Sequence, residues 1–133
     1  MISDQPDPTP YKHKGATRLW KAMLCSFSGL GYALQEAAFR LEVIVGSILI
    51  VLSCFLPVEV ALHLLLIGSV LLVLIIEILN SAIEAVVDDI SFERRELAKQ
   101  AKDMGSAAVF IALLNCGLCW AYIIVANWDQ LFG

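Results

Sequence analysis

The residues best equipped for chemistry lie in "EILNSAIEAVVDD", positions 77–89. On a helix turning 100° per residue, Glu77, Asn80, Ser81, Glu84 and Asp88 fall on one side. Ile78, Ile83, Val86 and Val87 occupy much of the rest. The stretch directly follows "VLLVLII", so acids begin where an apolar run is leaving a membrane. A carboxylate facing lipid is costly, and these groups must therefore face protein, cations or water. A helix end meeting solvent accounts for Asp88 and Asp89. It accounts poorly for Glu84 and worse for Glu77, which lies about 16 Å of helix below Asp88.

Two more groups belong to the same boundary. Glu36 opens another apolar stretch at a depth near that of Glu84. "AKDMGSAAV", 101–109, brings Lys102 and Asp103 to the start of a third. Gly105, Ser106, Ala107 and Ala108 follow, small residues that let helices approach closely. Two acids at one depth suit a hard cation with oxygen ligands, such as Mg²⁺ carrying phosphate. A lysine beside them suits phosphate as a point charge. A deeper acid suits a general base for a lipid hydroxyl. Together these are the parts of phosphoryl transfer. The chain has neither G-x-x-x-x-G-K-[ST] nor a Gly-rich kinase loop. On residue types alone, a lipid kinase stands only slightly ahead of a proton or cation pathway.

The elements that must position these groups follow from composition. Of 133 residues, 59% are hydrophobic and 17% charged, and the mean hydropathy is +0.79. A soluble domain of this length could not hide so much apolar surface. The expected fold is an all-α integral membrane protein, with a polar tail over 1–14 and one domain over 15–133. Spans are expected at about 36–56, 60–87 and 104–128, each near the 20 residues that a bilayer requires. "PVE" at 57–59 separates the first two, because Pro57 cannot continue a helix comfortably. Over 16–34, Leu19, Trp20, Met23, Leu24, Phe27 and Leu30 recur at helical spacing, with Arg18, Lys21 and Ser28 largely elsewhere. That pattern predicts a basic amphipathic helix lying on the membrane surface.

The nine basic residues set an orientation. Lys12, Lys14, Arg18, Lys21 and Arg40 precede or open the first span, and Arg94, Arg95, Lys99 and Lys102 lie between the second and third. By the positive-inside rule the N-terminus is cytoplasmic and the C-terminus faces outward. Trp120, Tyr122 and Trp128 suit an interfacial belt at the outer end of the third span, and His63 is read as interfacial. Cys25, Cys54, Cys116 and Cys119 read as packing residues, and Cys116-x-x-Cys119 implies no metal or redox site.

Residues 77–109, "EILNSAIEAVVDDI … ELAKQAKDMGSAAV", resemble the small bacterial integral-membrane diacylglycerol kinases. "EAAFRLE" at 36–42 is similar to that family's N-terminal signature, and "TRLWKA" at 17–22 to its surface-helix motif. The resemblance runs from about Thr17 onward. It implies an ATP-dependent kinase of the bacterial inner membrane that converts diacylglycerol to phosphatidate. It also implies a homotrimer of three-span subunits with active sites shared between neighbours, and no nucleic-acid partner. Carried over by position, it makes Glu77 the base and Glu36 and Glu84 the metal acids. Arg18, Glu93, Arg94, Arg95, Lys102 and Asp103 become nucleotide contacts. Arg18, Asn80 and Ser106 fall on the lipid side of the site. Within the resemblance an undecaprenol kinase is the nearest alternative, and "KDMGSAAV" looks more like the diacylglycerol branch. Outside it stand a conducting trimer, which explains Lys102–Asp103 less well, and an assembly protein, which leaves the depth of Glu77 without a reason.

Overall fold

The computed structural model describes residues 15–90 and 95–133. Helices are the regular structure of these residues: α1 (Gly15–Ala33), α2 (Ala37–Ser53), α3 (Val60–Ile90), α4 (Glu96–Ala126) and the short α5 (Trp128–Phe132). The chain divides into two units, 1–32 and 33–133. The described part of the first is helical throughout, within α1, and carries the apolar series from Leu19 to Leu30. The expected tail, with Lys12 and Lys14, lies outside the described residues.

In the second unit α3 is the central element, packed along α4 and also against α2. Both α3 and α4 have 31 residues and are long and apolar enough to cross a membrane. At 1.5 Å per residue each is about 46 Å long, well beyond a hydrocarbon core of about 30 Å. The surplus is what carries the acids of α3 and the first two turns of α4 past the apolar run. Helix α2 has 17 residues, ending at Ser53 rather than near 56. Cys54 to Glu59 then turn the chain, with Pro57 at the break.

The start of α4 differs from expectation. The apolar run begins at 104, but the helix begins at Glu96, with Arg95 as an extended N-cap. Glu96, Leu97, Ala98, Lys99, Gln100, Ala101 and Lys102 are strong helix formers and extend it without apolar help. Lys102 and Asp103 therefore sit on a formed helix, not in a loop before it.

The core is Leu66, Val70 and Val73 of α3 against Ala112, Cys116, Trp120 and Ile123 of α4. Trp120 is thus an inward residue and not part of a belt, whereas Tyr122 and Trp128 are exposed. Cys116 packs in this core, and all four cysteines are free thiols. Ser69 is buried there too, with Oγ 2.7 Å from the Leu66 carbonyl and 3.5 Å from Cys116 Sγ. At the α2–α3 crossing Gly46 is buried, and a Cβ there would lie 2.7 Å from Val70 Cγ1. The outward faces remain apolar: Ile44, Leu64, Phe110, Ile111 and Leu118 are all exposed.

Candidate active site

The polar stripe of α3 forms as its periodicity requires, and its burial is graded. Glu77 is 6% exposed, Asn80, Ser81 and Glu84 are half-buried, and Asp88 is exposed. From Glu77 to Glu84 is two helical turns, about 10 Å. Asn80, one turn before Glu84, donates from Nδ2 to Glu84 Oε1 at 3.4 Å. This long bond leaves most of the Glu84 lone pairs free for another partner. Asn80 Oδ1 is enclosed and meets no donor among the described residues. It faces α4 at Gly105, which is buried.

Lys102 closes the exposed end. Its Nζ donates to Asp88 Oδ1 at 2.7 Å, joining α4 to α3, and the Glu84 charge also acts on it. Asp103 lies on the outer face of α4 and pairs loosely with Lys99 at 4.0 Å. Of the four small residues after Asp103, only Gly105 is buried; Ser106, Ala107 and Ala108 are exposed. Within this run the close approach of α4 to α3 is therefore made at Gly105.

Glu36 caps α2 in an extended conformation, φ −75° and ψ 131°, without a side-chain capping bond. The turn before it is tied by Arg40, which donates to the carbonyls of Gln35 at 2.7 Å and Leu34 at 3.2 Å. Glu36 is exposed, yet its charge and that of Glu84 both act on Glu77. Glu36, Glu77 and Glu84 thus form one electrostatic group drawn from two helices.

One residue was missed in the sequence. Glu42 is half-buried, its charge is coupled to that of Glu77, and its Oε2 is enclosed without a hydrogen-bond partner among the described residues. It lines an apolar cavity of about 270 Å³ with Val45, Val70, Leu74, Leu113 and Cys116. Its periodicity shows once the inward face of α2 is known. Phe39, Gly46 and Ser53 are the buried residues of α2, and Glu42 falls between the first two at the same three- and four-residue spacing.

Glu93 and Arg94 lie outside the described residues, and Arg95 is exposed at the α4 N-cap. Arg18 belongs to the first unit, on α1.

Among the described residues no cluster of three His, Cys, Asp or Glu side chains forms a ready metal cage. The donor chemistry of Glu36 and Glu84 nevertheless fits Mg²⁺. This ion typically takes one or two carboxylates and completes its shell with phosphate and water. Both are hard oxygen donors, one solvent-facing and one held by a neighbouring amide.

The chain is similar to proteins of a known family. The sequence profile of the family described as Prokaryotic diacylglycerol kinase matches residues 24–124. The diacylglycerol kinase of Escherichia coli (strain K12) is 50% identical over 111 residues, covering 83% of this chain and 91% of that protein. That of Haemophilus influenzae is 48% identical over 115 residues, 86% of this chain and 98% of that protein. That of Pseudomonas aeruginosa is 45% identical over 120 residues, 89% and 98% respectively. The chain belongs to the prokaryotic diacylglycerol kinase family.

Proposed function

We propose that this member of the family is an ATP-dependent kinase that phosphorylates the free hydroxyl of diacylglycerol, giving phosphatidate at the cytoplasmic face of the inner membrane. The observation that carries the reading is the graded stripe on α3, with its deepest acid, Glu77, buried at the end of an apolar run. A soluble nucleotide and a membrane-held alcohol can meet only at the boundary between the two phases. There a base must be deep enough to reach the lipid, and charge-handling groups shallow enough to reach ATP.

In this reading Glu77 accepts the proton of the lipid hydroxyl as its oxygen bonds to the γ-phosphorus. The bond from that phosphorus to the bridging oxygen breaks, and ADP leaves with the electron pair. Glu36 and Glu84 would hold Mg²⁺, which would supply neutralising charge to the phosphates. Asn80 holds Glu84. Lys102 and Asp103, with Arg95, Glu93 and Arg94, contact the nucleotide. Arg18 touches both substrates from the surface helix, and Ser106 lies on the lipid side.

The proposed architecture has three spans. Helix α2, about 26 Å long at 17 residues, lies at the short end of the spanning range. The amphipathic α1 lies on the cytoplasmic surface, with the N-terminus inside and the C-terminus outside. Three copies assemble, which offers partners to the exposed apolar faces of α2, α3 and α4 and lets neighbours share a site.

The test is direct. Protein purified in detergent is given labelled ATP with diacylglycerol or undecaprenol in parallel. Label passing to diacylglycerol with Mg²⁺ present is the expected result. Label passing only to undecaprenol, or to neither, overturns the reading.

A further inference from the structure

We infer that Gly105 is a positioning residue for Glu84, acting through the side chain of Asn80; the inference rests on the kinase reading above for what Glu84 does. A Cβ built at Gly105 would fall on Asn80 Oδ1 and come within 3.3 Å of its Cγ. The three nearest heavy atoms, Oδ1, Cγ and Cβ, all belong to the Asn80 side chain, and none to the α3 backbone. At the α2–α3 crossing Gly46 meets an apolar side-chain atom, Val70 Cγ1. Gly105 meets an amide.

That amide has a second duty. Its Nδ2 donates to Glu84 Oε1, and its Oδ1 is enclosed against α4. An amide group is planar, so fixing Oδ1 fixes the direction in which Nδ2 points. The bare α4 backbone at 105 is the wall that sets this plane. The flanking Met104 and Ser106 are exposed, so no neighbour on α4 can replace it. The chain of action runs from Gly105 to Asn80 to Glu84, and removing such an outer support typically costs 10–100-fold in metal affinity or activity.

Gly105→Ala is the probe. Alanine is the better helix former, so α4 itself gains from the change. The Asn80 amide must move, and Glu84 loses its donor. Mn²⁺ serves as the metal in place of Mg²⁺, with its affinity read by electron paramagnetic resonance in the presence of ATP, alongside turnover on diacylglycerol. The expected result is a 10–100-fold weaker Mn²⁺ affinity and a matching fall in turnover at fixed metal. In Asn80→Ala the further change Gly105→Ala should cost less than about twofold, because both act on one amide. A folded Gly105→Ala protein with wild-type Mn²⁺ affinity overturns the inference, as does a full additional loss in the double variant. Should Gly105→Ala fail to fold, the double variant decides: refolding with Asn80→Ala activity supports the inference, and continued misfolding refutes it. Absence of wild-type turnover would sink the kinase reading instead, while the Mn²⁺ comparison would still decide the role of Gly105.

Discussion

Gly46 and Gly105 solve the same steric problem at two helix crossings, and the difference between them separates architecture from chemistry. Both are buried, and at both a methyl group would collide with α3. At Gly46 the obstacle is Val70 Cγ1, part of an apolar seam. At Gly105 it is the Asn80 amide, which holds a carboxylate. The same contrast runs along α3. Toward the core, Ser69 and Ser53 satisfy their hydroxyls on carbonyls three residues earlier, although Trp120 Nε1 has no partner among the described residues. Asn80 Oδ1, toward the boundary, and Glu42 Oε2, on the cavity beside Val70 and Cys116, are enclosed without donors among the described residues. The unpaired group in the seam is a donor, and the other two are acceptors.

The largest effect that could break this division is at Glu77. Proton transfer from a positioned base is typically worth 10²–10⁴-fold, whereas a carboxylate that merely joins helices would show its loss in stability. Glu77→Gln nearly conserves volume and removes the basic oxygen. The variant should fold, bind nucleotide with little change and lose turnover by about that range. Near-normal turnover in a folded Glu77→Gln protein would require another acceptor.

Next is Glu84. In Glu84→Gln the fold should survive, and turnover at fixed Mg²⁺ should fall at least as far as the 10–100-fold typical of losing support for a metal site. The dependence on Mg²⁺ concentration should move upward. An unchanged metal titration would remove Glu84 from the proposed metal pair.

Much of this division was legible before any coordinates. The α3 stripe follows from 100° per residue, and the break at Pro57 from its missing N–H. Four features were not legible. The inward face of α2 is set by what packs against it, so Glu42 read as part of a motif and not as a buried acid. The first two turns of α4 are polar helix formers, which a search for apolar runs passes over. Trp120 resembles a belt residue in composition, and only its packing against α3 turns it inward. The role of Gly105 depends on a side chain 25 positions away, a contact that spacing along one chain does not encode.

A smaller effect sharpens the comparison from the architectural side. Gly46→Ala sets a methyl group against Val70, whose β-branched side chain cannot easily turn away. Overpacking of this kind costs about 1–3 kcal/mol. Thermal unfolding in detergent should register that loss, while turnover per folded molecule and the Mg²⁺ titration stay close to wild type. A changed metal titration in Gly46→Ala would mean that the two crossings are not separable.

The smallest effect concerns Lys102 and Asp88. Their 2.7 Å pair is exposed, and surface pairs of this kind contribute little to stability. Removing either partner should therefore barely alter stability. Function should distinguish them. If Lys102 serves phosphate, Asp88 competes for the ammonium that ATP must recruit. Lys102→Met removes the cation, so KM for ATP should rise. Asp88→Asn releases the cation, so KM for ATP should stay level or fall. Both effects should shrink as salt rises, since exposed charges are screened within about 8–10 Å near physiological ionic strength. Equal increases in KM from the two variants would show that the pair acts as a brace between α3 and α4, and that the ammonium is not a nucleotide contact.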